Sequence, residues 1–414
     1  MHQRMLKVAL LCLCAVPVAL HAQEFKLFDR TIQYHGFASQ GFIYTTDNNW
    51  LTMHTSQGSG AFTDFGANAS MQVTDNLRVG AQVYDHNIGN LGEWHPSLDW
   101  AFADYRFKPW FGIRGGKVKT VIGLYNDTQD YEFLGTFALL PQSVYPLDMH
   151  DANIAHTGGD LYGDVPVGRR SGTLSYTVYG GERRDSYYGG YPYALRKTVA
   201  PVNLTSNGGP KYGADLRWHT PLPGLLAGIS RMNQHDDGKG TFVPFWDPAA
   251  GTIPYWEYTR HYWLNQFYGQ YSRGRLSVDS AYRRTYVYVV DFNGTSNGQA
   301  DVRGWYVSGS YRVAKRLELG SYYSHYTMTT RYGGILGQAF PPRLDTSLPE
   351  NHIYDKVVSA RIDLNRFWNV KLEGHFMDGY GDGPYPDGFY PGDNPASFKP
   401  NTNALVVRTG LSVT

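Results

Sequence analysis

The sequence predicts an all-β chain that closes into a transmembrane antiparallel β-barrel of about sixteen strands. Three observations predict it: segments that alternate apolar with polar residues, connections of two contrasting lengths, and a composition unsuited to membrane helices. The 414 residues include 33 Tyr, 10 Trp and 47 Gly, and only 18% are charged. Mean hydropathy is −0.42, and no apolar run past the N-terminus approaches the roughly twenty residues a membrane helix needs. Tyr and Trp suit strands and membrane interfaces, and Gly suits turns. A net charge of +1 gives no footing for a nucleic-acid partner.

The order along the chain begins with a leader. His2, Arg4 and Lys7 precede an apolar run from Val8 to Leu20, and Ala22 stands before the polar Gln23 and Glu24. This is the layout of a secretory signal peptide over residues 1–22, leaving 23–414 as the exported barrel. Cys12 and Cys14 fall inside the leader, each preceded by Leu rather than the small residue of a lipid-anchor site. The exported chain is then without thiols, disulfides or a cysteine metal site.

In the mature chain Leu77, Val79, Ala81 and Val83 alternate with Arg78, Gly80, Gln82 and Tyr84. Tyr212, Ala214, Leu216 and Trp218 alternate with Gly213, Asp215 and Arg217, and Val358, Ala360, Ile362 and Leu364 with Ser359, Arg361 and Asp363. Val370, Leu372, Gly374 and Phe376 oppose Lys371, Glu373 and His375. One parity suits lipid and the other water, although a half-buried soluble strand reads the same way.

The connections separate those cases. Short turns fall at Thr74-Asp75-Asn76, Lys108-Pro109, Thr220 to Pro223, Ser272-Arg273-Gly274, Ala314-Lys315 and Asn365-Arg366-Phe367. Long polar stretches fall at Asp185 to Asn207, His235 to Arg260, Arg331 to Asn351 and Tyr380 to Asn401. Strict alternation of short with long is the periplasmic and extracellular asymmetry of a bacterial outer-membrane barrel.

A barrel of this strand number leaves an aqueous lumen, so something must narrow it if solutes are to be sorted. The connection from Leu124 to Asn153 carries Phe133, Leu134, Phe137, Leu139 and Leu140, too apolar to stand in solvent. It is expected to fold inward and present Asp127, Asp130 and Glu132 to basic wall residues Arg78, Arg106 and Arg114, the plainer alternative being a structured external loop. Lys117 and Lys119 belong to the same candidate constriction. They share parity with Phe111 and Ile113, so either Gly115-Gly116 forms a bulge or the lysines sit at an interface. Candidate lumen-lining charges are Asp104, Asp215, Arg217, Asp279, Arg283, Arg361, Asp363, Lys371, Glu373 and Arg408. A slight basic excess predicts a weak preference for anions, against the plainer reading that these charges pair across strands.

The stretches RVGAQVYDH from Arg78, LDWAFADYRF from Leu98, GGKVKTVIGLYND from Gly115, LLPQSVYP from Leu139, KLEGHFMDG from Lys371 and LVVRTGLSV from Leu405 resemble bacterial outer-membrane porins related to the phosphate-selective porin O/P-like family. The resemblance implies sixteen strands, a homotrimer, and passage of small hydrophilic solutes and ions. It does not carry phosphate specificity, because that group's dense ladder of arginine and lysine has no residue-by-residue match here. Such barrels end on an aromatic residue, whereas this sequence ends on Thr414; Leu411 and Val413 then take that part, or a residue is missing.

An enzyme and a surface-binding protein are the two other classes the sequence bears on. His150, Asp151 and His156, and His235, Asp236 and Asp237, cluster without a G-x-S-x-G or H-E-x-x-H pattern, so no catalytic residue, cofactor or metal is expected. Asp378, Asp382, Asp387 and Asp393 lack the spacing of an EF-hand. Tyr187, Tyr188, Tyr191, Tyr193, Phe245, Trp246, Tyr255, Trp256 and Tyr258 suit either carbohydrate or partner binding by the outer loops, or packing of those loops on each other.

Overall fold

The computed structural model describes residues 24–27, 30–168, 170–197, 201–244, 247–335, 345–381 and 388–413. The expected leader lies outside them, as do Phe245, Trp246, Asp382, Asp387 and Thr414.

Sixteen antiparallel wall strands form one closed ring. They are β1 Arg30–Thr45, β2 Ser59–Gln72, β3 Leu77–Ile88, β4 Ser97–Lys108, β5 Phe111–Lys119, β6 Ala155–Pro166, β7 Thr173–Arg184 and β8 Val202–His219. Next comes β9, in two segments, Leu225–Gln234 and Asp237–Phe242, which pair with the same two neighbours and so make one strand. The rest are β10 Ile253–Arg273, β11 Leu276–Asp291, β12 Ser296–Ala314, β13 Leu317–Ile335, β14 His352–Asp363, β15 Trp368–Asp378 and β16 Asn401–Val413. β16 pairs with β1 from Ala404↔Thr45 to Val413↔Gly36, which closes the barrel and removes both sheet edges. Glu24–Leu27 folds back onto the start of β1.

The alternation assigns the faces as expected. Val83, Leu216, Val358, Leu372 and Phe376 are exposed on the outer wall, while their neighbours Gln82, Ser359, Lys371, Glu373 and His375 are buried inside. Where no water is available every backbone group must be paired, and the closed ladder achieves this.

Three expectations about the connections are corrected. Most of His235 to Arg260 is strand: Asp237–Phe242 pairs with Ile253–Tyr258, and only 243–252 connects them. Its glycines and aromatics, which resemble loop composition, continue the wall. Strand also begins at Val202 and runs on to Ile335, shortening the loops expected at 185–207 and 331–351. Finally, β11 and β12 are joined by four residues, 292–295, with Asn293 and Gly294 at positive φ of 58° and 83°, so short and long connections do not alternate strictly.

The lysine question at the end of β5 resolves without a bulge at Gly115-Gly116. β5 pairs with β6 in unbroken register from Gly112↔Tyr162 to Lys119↔Ala155. The irregularities lie on either edge of β4, at Gln82/Val83 and at Arg106/Lys108. Lys117 donates to the Leu98 carbonyl, whereas Lys119 at the strand end turns in toward Asp99 and Asp130.

If the outer face meets lipid, Val358→Lys near mid-wall should destabilise the barrel by roughly 2–4 kcal/mol. Thr177→Lys, on the water side, should cost far less. Urea titration of protein refolded into lipid vesicles checks both, and equal costs would reverse the face assignment.

Candidate pore constriction

The long connection between β5 and β6, residues 120–154, lies inside the barrel. Its start is set by Gly123, whose positive φ of 65° and contact with the wall exclude a side chain: a Cβ there would stand 2.0 Å from Gln266 Nε2. The Gly123 amide donates to Ser230 Oγ (2.9 Å) and its carbonyl accepts from Arg217 (2.9 Å).

Beyond that point the loop's backbone is held by charges on the wall. Arg361 donates to the Leu134 and Gly135 carbonyls (3.2 and 2.8 Å), Lys371 to Phe137 (3.0 Å), and Arg408 to Ala138 (2.8 Å). Arg283 donates to Val144 (2.7 Å) and Lys211 to Ala152 (2.9 Å). Facing them, the Glu373 carboxylate accepts from the Ala138 and Leu139 amides (2.7 and 3.2 Å), and Glu318 accepts from Thr136. A non-helical segment inside a barrel has unpaired N–H and C=O groups, and ionised side chains make strong partners for them.

The apolar side chains that predicted an inward loop pack in two places. Ala138 and Leu139 join Trp50, Leu51, Leu91, Tyr193, Phe389 and Tyr390 from the outer connections in one buried cluster. Leu124, Val144 and Tyr145 pack on Tyr268, Ala281 and Tyr306 of the wall. On the short-turn side of the loop two recesses remain. One, of about 450 Å³, is lined by loop residues with Gln270, Ser277, Asp279, Ser308 and Glu318. The other, of about 220 Å³, is lined by Arg114, Asp127, Tyr162, Asp215, Arg217 and His219.

The candidate constriction residues separate into groups. Asp127 is half-buried; loss of solvent pushes its carboxyl up, opposed by Arg217, Lys119 and Arg114. Asp130 is buried against Lys119 and His150, and accepts from Gln82 (3.3 Å). The side chain of Glu132 lies outside the described residues. Arg114 stands between Asp104 and Asp160 (3.6 and 3.7 Å), and with Arg78 flanks the Phe102 ring. Arg106 pairs with Asp164 (2.7 Å) and the Pro109 carbonyl beside a short turn. The cations gathered near the loop carboxylates are therefore Lys119 and Arg114 of the candidate set together with Arg217, while Arg78 and Arg106 are not among them.

Of the other lumen candidates, Asp104 accepts from Tyr162, Asp215 from Tyr268 and Ser230, and Asp279 from Tyr306. Asp363 pairs with Arg312 and Arg361 (2.8 Å each), and Arg408 with Asp64. Lys211, Gln82, Gln266 and Ser230 hold the loop but were not singled out from the sequence. Their parity is legible, since Lys211 continues the inward set of Gly213, Asp215 and Arg217, whereas their loop partners are not.

The outer aromatics pack mainly on the protein. Tyr193 donates to Asp393 (2.7 Å), Tyr191 to Glu257 (3.0 Å), and Tyr188 stacks on His95 at 3.8 Å. Asp148 accepts from the Gly388 amide (2.9 Å) and the Tyr390 hydroxyl (2.8 Å), tying the inner loop to the last outer one. Among the described residues no cluster of ligating side chains suits a metal ion.

No protein-family model matches the chain, and no curated protein is significantly similar to it. Solved structures do share its fold. It is similar to OmpT, an outer membrane protein of Vibrio cholerae, at TM-score 0.54 and 12% identity over 94% of this chain and 100% of that one. It is similar to the outer membrane channel DcaP of Acinetobacter baumannii at 0.53 and 10%, over 94% and 99%. The anion-selective porin from Comamonas acidovorans matches at 0.52 and 10%, over 92% and 99%. The likeness is one of fold: a closed antiparallel barrel of sixteen strands with an apolar outward wall.

Replacing Glu373 by Gln should weaken the hold on Ala138 and Leu139, at a cost of roughly 1–3 kcal/mol for charge-assisted bonds. Faster amide exchange at those two residues, with the barrel itself intact, is the expected result.

Burial pushes the Asp148 carboxyl up to about 6, against hydrogen bonds from Tyr390 and Gly388 that lower it. A carboxyl raised in the closed contact stabilises that contact fully below its unperturbed pKa near 4, and the benefit is lost as pH rises through about 6. Protection of the Gly388 amide, corrected for intrinsic exchange, should therefore be greater at pH 5 than at pH 7.5. Asp148→Asn should flatten the difference.

Proposed function

We propose that this chain is a porin: a water-filled outer-membrane channel through which small hydrophilic solutes and ions diffuse passively. The observation that carries the reading is the inward loop secured by wall charges around the lumen. A loop that only covered the mouth would have no need of Gly123, Arg217, Arg283, Arg361, Lys371 and Arg408 as internal anchors. A ring of sixteen strands is wide enough for water, and such a loop narrows it.

At the narrowed section the half-buried Asp127 carboxylate shares one recess with Arg114 and Arg217, so a solute passes fixed charges of both signs. That arrangement favours polar over apolar molecules of equal size. Arg114 and Arg217 against Asp127 and Asp215 in the smaller recess support a weak ion preference and not a strict one. A homotrimer is supported by the small outward residues Ala67, Ala69, Ala81, Ala101, Ala103 and Gly115 on β2 to β5, which allow close approach of a second wall. Phosphate selectivity has no support among the described wall residues. Carbohydrate binding by the outer aromatics is the weaker reading, because those aromatics largely contact one another and buried acids.

In planar bilayers the protein should give discrete conductance steps. Deleting residues 132–140 should raise single-channel conductance and admit larger solutes. Asp127→Asn with Asp130→Asn should leave size exclusion nearly unchanged and shift the reversal potential toward anions. An inserted, folded barrel whose conductance ignores the deletion would place the narrowing elsewhere.

A further inference from the structure

The outer wall carries a feature that a lipid-facing surface does not otherwise tolerate. Arg231 of β9, Asn265 of β10, Arg284 of β11 and Arg303 of β12 are register partners in one continuous row across four neighbouring strands. All three guanidiniums face outward: Arg231 is exposed, and the side chains of Arg284 and Arg303 are 37% and 44% accessible. The outward row next below it is Ile229, Phe267, Tyr282 and Trp305, which is apolar. The row next above is Asn233, Trp263, Tyr286 and Asp301.

Position fixes what surrounds the row. Arg284 lies eight residues beyond Leu276, the first residue after a short turn. At about 3.3 Å per residue and a tilt near 40° that is roughly 20 Å along the barrel axis, the upper margin of an apolar band about 25 Å tall. The row therefore stands where hydrocarbon gives way to the headgroups of the outer leaflet. It lies across the ring from the small-residue face on β2 to β5, so a neighbouring subunit there leaves it open to lipid.

The local charge is unbalanced. Asp301 is the sole carboxylate in these three rows, and it serves both Arg284 (2.9 Å) and Arg303 (3.1 Å). The hydrogen-bond partners of the Arg231 guanidinium among the described residues are neutral amides, Asn265 (2.8 Å) and Asn233 (3.0 Å). The Trp263 ring lies between Arg231 and Arg284, whose guanidinium carbons are 5.0 and 5.3 Å from its centroid, and it stacks on Tyr286 at 5.7 Å. The Trp263 face holds Arg231 and Arg284 outward and Asp301 holds Arg303, which leaves N–H groups for an acceptor. Three cations against one carboxylate, at headgroup depth and pre-organised, complement a phosphate, which arginine engages through paired N–H groups.

We propose that this row is a binding site for the phosphorylated headgroup of an outer-leaflet lipid, with its acyl chains lying over Ile229, Phe267 and Tyr282. The site is independent of conduction and rests only on the outer-membrane location in the proposed function. Refolded full-length protein in neutral detergent, titrated with diphosphorylated lipid A, should retain the lipid in native mass spectrometry and rise in melting temperature. Lipid A stripped of both phosphates, and inorganic phosphate alone, should do neither. Arg231→Gln, Arg284→Gln and Arg303→Gln together should weaken retention by at least about tenfold, the loss of one charge-assisted contact or more, while conductance steps persist. Should the triple variant not fold, Arg231→Gln alone, which breaks no ion pair, should still reduce retention. Equal retention of the dephosphorylated lipid, saturation of the response by inorganic phosphate, or undiminished retention by folded variants would overturn the assignment.

Discussion

Much in this molecule depends on one constraint: a peptide segment placed inside a barrel has carbonyl and amide groups that the sheet cannot pair. The wall supplies the missing partners with charge. Arg217, Arg283, Arg361, Lys371, Arg408 and Lys211 all donate to loop carbonyls, and Glu373 accepts from two loop amides. Such charges are expensive to bury unless paired, and loop backbone is expensive to bury unless bonded, so each solves the other's problem. Charges that a sequence reading assigns to the field of an open lumen are for this reason largely structural.

The same constraint shapes both ends of the lumen. Toward the outside, the inner loop's Ala138 and Leu139 complete an apolar cluster with Trp50, Leu91, Tyr193 and Phe389, and Asp148 adds a polar tie to Gly388 and Tyr390. Toward the short turns the wall of the lumen stays polar, with Arg114, Asp215 and Arg217 around one recess and Asp279 and Glu318 around the other. Solvent access to the fixed charges is thus concentrated on the short-turn side of the loop. On the outer wall the opposite condition holds: apolar side chains face outward, and a row of arginines interrupts them.

What the sequence by itself determined was the wall. Period-two alternation in Leu77 to Tyr84, Tyr212 to Trp218 and Val358 to Leu364 assigns each residue to lipid or lumen, because successive strand side chains point to opposite faces. Turn chemistry at Thr74 to Asn76, Thr220 to Pro223 and Asn365 to Phe367 marks the short-turn end, and the apolar content of residues 133–140 marks the loop that must leave solvent. Local composition misled where it was ambiguous. Residues 237–242 and 253–260, Gly- and Tyr-rich, are wall, since pairing with a neighbour and not composition makes a strand.

Only the tertiary structure decided which charges meet. Parity puts Arg78, Arg106, Arg114, Arg217 and Arg408 on one face, but says nothing of height along the axis or of which strands stand across the lumen. Register and ring closure set those relations, bringing Arg217 and Lys119 to Asp127 and Asp130 while leaving Arg106 with Asp164 beside a turn. The outer row of Arg231, Arg284 and Arg303 is hidden in the sequence for the same reason. Its members are separated by 53 and 19 positions in the chain, and they become neighbours only through the hydrogen-bond register of four strands.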